Sequence, residues 1–315
     1  MMIESEIQQG LNAIEEKLRS IVASDVELLE SAGLHIITSG GKRLRPRMAL
    51  LAYLAAGGTN LHEVIPMAAA VEMVHTATLV HDDINDHSAT RRGKITVHEK
   101  YGRTFALLTG DYLFTKVYEM MAPYPSEFNV IMASATTRLV EGETLQAAAA
   151  KAGNMDRETY KTVISRKTAS LFEASARMGA MLAGGSEEIV NALADYAYNL
   201  GLTFQIVDDI LDIIGDPETL GKPVGTDLAQ NRGVMMVKNG GTPEQAETAT
   251  AVAEAEDDPV ARMLENLRNS GAVEIARMQA QEVAERARQA LKVVPPSEAK
   301  TELEEIIELV LNRNK

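Results

Sequence analysis

The chain has 315 residues, and its 31 Lys and Arg against 45 Asp and Glu give a formal charge of −14. That balance excludes a broad electropositive face for nucleic acid, and the absence of cysteine excludes disulfides, thiolate metal sites and thiol nucleophiles together. The longest apolar run, Met48–Ala56, falls well short of the roughly 20 residues that cross a bilayer. Because Glu4 and Glu6 stand where a signal peptide would be basic and then apolar, a soluble, cytoplasmic chain is expected.

Apolar residues recur every three or four positions, and no alternating stretch marks a strand, so the expected fold class is all-α. The spacing predicts helices near 2–31, 42–57, 61–86, 104–121, 126–150, 156–182, 186–214, 227–239, 243–269, 272–293 and 297–313. Gly40–Gly41, Gly57–Gly58, Pro123–Pro125, Gly184–Gly185 and Pro295–Pro296 punctuate these blocks. Thr242-Pro243-Glu244-Gln245 offers a hydroxyl cap, a first-position proline and a capping-box glutamine; Ser186 and Ser297, each followed by glutamate, are simpler caps. No low-complexity linker divides the chain, and a single domain over 1–315 is expected.

The one internal echo sets Asp82-Asp83-Ile84-Asn85-Asp86 against Asp208-Asp209-Ile210-Leu211-Asp212. On a helix, Asp82 shares a face with Asp86 and Asp208 with Asp212, and like charges at that spacing repel. Both clusters lie within apolar stretches, Val71–Val80 and Gly201–Ile214, where such carboxylates need a compensating cation. Oxygen-only ligands suit Mg²⁺, which bridges carboxylates and substrate phosphates. Solvated helix-end carboxylates are the alternative for either cluster alone.

Cations accompany both clusters. Lys42, Arg43, Arg45 and Arg47 open a helix after Gly40-Gly41, Arg91-Arg92 follow the first cluster, and Lys222 in Gly221-Lys222-Pro223 follows the second. Arginine forks and a helix N-terminus both favour phosphate oxygens. The combination points to two phosphorylated groups, one held through metal and one directly by cations. His81-Asp82 could belong to an HD-type metal phosphohydrolase, whereas His35, His62, His87 and His98 have no partner visible in sequence and are expected to be structural.

Five ordered signatures resemble the trans-isoprenyl diphosphate synthase family, in its medium- to long-chain branch, over nearly the whole chain. They are Gly41-Lys42-x-x-Arg45-Pro46; His81-Asp82-Asp83-x-x-Asp86 with Arg91-Arg92-Gly93; Lys167-Thr168; Gly201-x-x-Phe204-Gln205-x-x-Asp208-Asp209-x-x-Asp212; and Gly221-Lys222-Pro223. The resemblance implies a helical bundle with a central cavity between antiparallel helices. It implies that Asp82, Asp86 and Asp208, with Asp212 in support, hold Mg²⁺ (three ions with substrate bound) against an allylic diphosphate that Arg91, Lys167 and Lys222 enclose. Lys42, Arg45, His75 and Arg92 would hold isopentenyl diphosphate, and Thr168 and Gln205 would face the positive charge on the allylic carbon. The implied reaction is ionisation, condensation and elimination, with the released diphosphate as base and no protein nucleophile. A homodimer is implied too.

Ala77 and Thr78, roughly 6–8 Å along the helix from Asp82, leave open a level that short-chain members block with an aromatic ring. An all-trans product longer than geranylgeranyl diphosphate, in the geranylfarnesyl to octaprenyl range, is therefore expected. The floor of the channel would come from Val74 or from large side chains such as Leu107, Leu108 or Phe114. After Asp227 the chain departs from many bacterial relatives, reading Arg232-Gly233-Val234-Met235-Met236; Arg232 still supplies a cation for the allylic diphosphate. Geranylgeranyl diphosphate synthase, a class I terpene cyclase and the HD-type phosphohydrolase are the alternatives.

Overall fold

The computed structural model describes residues 2–153, 155–214 and 259–313. Among them, the helices are α1 (Met2–Ile21), α2 (Glu27–Ile37), α3 (Leu44–Ala55), α4 (Ile65–Asn85), α5 (Val97–Tyr101), α6 (Arg103–Met121) and α7 (Ser126–Ala152). There follow α8 (Arg157–Ile164), a π-helical turn (Ser165–Ala169), α9 (Ser170–Leu182), α10 (Glu187–Ile214), α11 (Pro259–Asn269), α12 (Ala272–Ala290) and α13 (Glu298–Leu311). The chain is all-α, as its apolar period requires. The predicted 227–239 helix, most of the 243–269 helix and its Thr242-Pro243 start lie outside the described residues.

Three departures from the predicted elements have local causes. The 2–31 block is two helices, because Ser24 Oγ accepts from Val26 N (3.1 Å) and competes with the helical ladder. The carbonyls of Val22 and Ala23 at this break accept from Tyr112 Oη at 3.3 and 3.0 Å. Secondly, a minimal antiparallel hairpin joins β1 (Thr90–Arg91) to β2 (Lys94–Ile95). Arg92 (φ 52°) and Gly93 (φ 75°) form its two-residue turn, the left-handed pair that suits tight hairpins. Strands this short leave no alternating pattern to read. Thirdly, the 156–182 block contains the π-turn.

Contacts divide the chain into two compact units: residues 1–136, 171–197 and 288–305 form the first, and 137–170, 198–287 and 306–315 the second. In the first, Ile7, Ile14 and Leu18 of α1 are buried, as are Met48, Leu50 and Leu51 of α3 and Met67 and Met73 of α4. Flexible thioethers fill the irregular gaps between these helices. A close approach within this unit depends on Gly179, where an added Cβ would lie 2.4 Å from Ala49 O. The second unit has its own core, in which Tyr160 and Ile164 of α8 meet Ile206, Ile210 and Ile213 of α10, with Leu264, Ala276 and Ala280. The expected serine caps form: Ser186 Oγ accepts from Ile189 N (3.4 Å) and Ser297 Oγ from Lys300 N (3.1 Å). Among the described residues no helix is long and apolar enough to cross a membrane.

Replacing Gly179 with Ala should cost about 1–3 kcal/mol, since the partner is rigid helical backbone. A lower urea midpoint at unchanged slope would show it; an unchanged midpoint would contradict the close approach.

Candidate active site

In the first unit, α4 ends in the first aspartate cluster. Asp82 and Asp86 are half-buried, and Asp86, the C-cap, donates its N–H to Asp82 O at 2.8 Å. Asp83 turns inward (1 % exposed) and accepts from Arg91 Nε at 2.7 Å, which ties the hairpin to the helix end. Burial raises the Asp83 carboxyl pKa, and Arg91 opposes that rise. Earlier on α4, Ala77 is fully buried and Thr78 Oγ1 donates to His75 O (2.8 Å), so His75, Thr78, Asp82 and Asp86 follow one helical stripe. His81 Nε2 lies 3.3 Å from Leu107 O and 3.6 Å from Asp111 Oδ1, over Gly110, which has no side chain to obstruct it.

The four cations around α3 divide into two kinds. Arg43, held at φ 47°, donates to Glu15, to Glu72 Oε1 (2.6 Å) and to Ile37 O (2.9 Å), and Arg47 pairs with Glu302. These two guanidiniums anchor the loop. Lys42 is exposed, and the Arg45 guanidinium lies 4.7 Å from the centroid of the buried Phe172 ring. Arg92 arrives on the hairpin turn and donates to Gly40 O; at Gly41 (φ 140°) a Cβ would sit 2.6 Å from Arg92 Nη1, so the glycine is required. The hairpin is fixed by His35, whose Nε2 lies 2.7 Å from Ile95 O, and by Lys94 Nζ donating to Thr38 O at 2.7 Å.

One buried carboxylate, Glu72 (2 % exposed), acts electrostatically on Arg43, Arg45 and Arg92. Burial, and then Arg92, lower Arg45 to about 10 against the pull of Glu72, so Arg45 stays cationic at neutral pH. Burial, followed by Arg45, Arg92, Arg91 and Arg43, holds the His75 imidazole well below its usual range and therefore neutral. The cluster thus sets one neutral imidazole among several cations.

In the second unit, the π-turn presents Lys167 and Thr168. It can do so because Gly142 of α7 lies against it: a Cβ there would meet Lys167 N at 2.6 Å. Lys167 Nζ donates to Gln146 Oε1 (2.7 Å) and pairs with Glu143. Thr168 Oγ1 donates to Gln205 Oε1 (2.8 Å), Gln205 Nε2 to Asp209 Oδ1 (2.9 Å), and Tyr160 Oη to Asp209 Oδ2 (2.7 Å). Asp208 pairs with Arg313, whose guanidinium lies 4.2 Å from the Phe204 ring centroid, and Asp212 is buried. Lys222 and Arg232 lie outside the described residues.

Whether a divalent ion suits these carboxylates can be judged from the donors. The set offers oxygen alone, the choice of a hard cation, and at Asp208 a guanidinium already serves as counter-charge. Among the described residues no three His, Cys, Asp or Glu side chains form a ready metal-ligand group. Sequence reasoning missed Glu72, Phe172, Glu143, Gln146, Tyr160 and Arg313. Glu72 carried a signal, being the one charge in the apolar run from Ile65 to Val80; Arg313, distant in sequence, carried none. Leu107 and Leu108, expected as floor candidates, are 42 % and 50 % exposed, whereas Val74 is fully buried.

Helices that set lysine, arginine and neutral histidine beside paired carboxylates define a class of helical enzyme that handles phosphorylated substrates. Residues 26–268 match the Polyprenyl synthetase family, and the chain belongs to that family of prenyltransferases. It is 39 % identical over 297 residues to the octaprenyl diphosphate synthase of Escherichia coli (strain K12), covering 91 % of this chain and 89 % of the relative. It is 34 % identical over 310 residues to a short chain isoprenyl diphosphate synthase of Methanothermobacter thermautotrophicus, covering 95 % of each. A crystal structure of a polyprenyl synthase from Caulobacter crescentus, complexed with calcium and isoprenyl diphosphate, matches with TM-score 0.89 and 34 % identity over 98 % of this chain and 96 % of that one.

His75 yields a pH prediction. The unfolded chain, with its imidazole near 6.5, takes up a proton that the folded protein refuses, so acidification below about 6.5 favours unfolding. Denaturant midpoints measured from pH 7.5 to 5.5 should fall less steeply for His75→Gln than for the parent; equal slopes would contradict the neutral imidazole.

Proposed function

We propose that the chain is a Mg²⁺-dependent synthase that joins isopentenyl diphosphate to an allylic diphosphate and releases all-trans polyprenyl diphosphates longer than geranylgeranyl. One observation carries the reading. Arg45, Arg92 and neutral His75 gather near Glu72, apart in kind from the carboxylate pairs, and so supply a second anion site. A class I cyclase binds one diphosphate; a condensation needs two. The contacts of His81 with Leu107 O and Asp111 give it a local role that needs no HD-type phosphohydrolase.

On this reading Asp82, Asp86, Asp208 and Asp212 hold the metal, and Lys42, Arg45, His75 and Arg92 hold isopentenyl diphosphate. Mg²⁺ bound there supplies positive charge that neutralises a departing diphosphate. Arg91, Lys167, Lys222 and Arg232 would add cations for the same anion. The allylic carbon–oxygen bond breaks with its electron pair leaving on the diphosphate, and Thr168 and Gln205 direct oxygens at the resulting allylic cation. The isopentenyl double bond attacks it, and a proton passes to the released diphosphate, restoring the alkene. The chain's contribution is alignment and preorganised charge. Three Mg²⁺ ions with substrate bound, a single domain over 1–315, a homodimer and a cytoplasmic location belong to this reading; their support is the family resemblance. Long products are supported by the small Ala77 and Thr78 and by the likeness to an octaprenyl diphosphate synthase over 91 % of the chain.

Incubation with Mg²⁺, isopentenyl diphosphate and a labelled allylic primer should give elongated diphosphates; cyclised hydrocarbon would favour a cyclase, and free phosphate alone the hydrolase. Asp82→Asn and Asp208→Asn should each lower kcat by about 100-fold or more, and near-normal turnover in either would remove that aspartate from the reaction. In the same assay Ala77→Phe should shorten the product; unchanged length would refute an open channel beside Ala77.

A further inference from the structure

The second aspartate cluster contains a residue whose surroundings are those of neither a metal ligand nor a bystander. Asp209 is 4 % exposed, and both its oxygens are engaged: Oδ1 accepts from Gln205 Nε2 at 2.9 Å, and Oδ2 from Tyr160 Oη at 2.7 Å. The Gln205 amide turns its NH₂ to this carboxyl group. The carbonyl end is thereby turned to Thr168, whose single hydroxyl proton it accepts at 2.8 Å. The Thr168 hydroxyl then has lone pairs, and no proton, left for anything else nearby. Two oxygens consequently stand side by side, 2.8 Å apart, each keeping lone pairs that this network leaves unused. With the amide reversed, an NH₂ would replace one of them and Thr168 would turn its proton elsewhere.

We infer that Asp209 and Tyr160 are positioning residues that fix the Gln205 amide and, through it, the Thr168 hydroxyl, so that this oxygen pair faces positive charge forming on the substrate. The inference rests on the prenyltransferase reading above. Tyr160 belongs to α8, which leads into the π-turn bearing Thr168, and Asp209 and Gln205 are one turn apart on α10. The relay thus joins the two elements of the second unit that carry the oxygens, and each link is a short, directional bond.

The test compares parent, Asp209→Asn and Tyr160→Phe, with Asp208→Asn as the metal-ligand control, in the full chain. An asparagine can present its own NH₂ to Gln205 and so release the amide orientation without changing volume. Asp209→Asn should lower kcat by about 30-fold or more and Tyr160→Phe by about 5-fold. Both KM values and the half-saturating Mg²⁺ concentration should stay within about three-fold of the parent. A separate readout needs no turnover: the rise in Tm on adding Mg²⁺ with inorganic diphosphate should persist in Asp209→Asn and be lost in Asp208→Asn. A raised Mg²⁺ requirement or a lost Tm response in Asp209→Asn would make Asp209 a metal ligand and overturn the inference, as would unaltered kcat in the folded protein. If Asp209→Asn fails to fold, unaltered kcat in Tyr160→Phe overturns it by itself. A parent that makes no prenyl product defeats the functional reading, whereas an active parent with fully active variants defeats only the relay.

Discussion

A carboxylate carried into an apolar helix must be matched by donors or cations, because the cost of leaving it unmatched is several kcal/mol. That requirement acts on both aspartate clusters: Asp83 is the inward residue of the first at 1 % exposed, and in the second Asp209 at 4 % and Asp212 at 2 % are both buried. Asp83 engages Arg91, bringing the hairpin to the end of α4, while Asp209 engages Gln205 and Tyr160. In both motifs a buried carboxylate holds a neighbouring element in place, Asp83 through Arg91 and Asp209 through Tyr160.

The same rule sorts the cations. Arg43 and Arg47 satisfy buried or half-buried glutamates and fix where α3 begins, and the left-handed backbone at Arg43 is held by three separate acceptors. Arg45 instead has its guanidinium 4.7 Å from the centroid of an aromatic ring, which holds the planar group. Glu72 gives this cluster an anion to fold around. With so many positive neighbours, His75 stays neutral and can both donate and accept, which suits it to orient an anion and not merely attract one.

Helix α4 combines these functions at different levels of one face. His75 stands among the arginines, Asp82 and Asp86 lie at the end of the helix, and the small Ala77 and Thr78 are buried between them. In the second unit, the π-turn is the local irregularity that lets Lys167 and Thr168 leave the regular helical register, and Gly142 lets α7 accept that bulge.

The amino-acid pattern alone determined that the chain is helical, where most helices lie, and which aspartates, lysines and arginines are candidates for chemistry. The reason is that apolar period, glycine–proline punctuation and i, i+4 charge pairs are local properties. The small hairpin, the α1–α2 break and the π-turn escaped because each depends on a few hydrogen bonds that leave no periodic trace. Only tertiary structure separated Arg43 and Arg47 from Lys42 and Arg45, since the glutamates that claim the first two, Glu15, Glu72 and Glu302, come from remote parts of the chain. Only tertiary structure set His81 against Leu107, Arg313 on Asp208 and Tyr160 on Asp209, because contact between residues far apart in sequence is a property of packing, which no local spacing encodes.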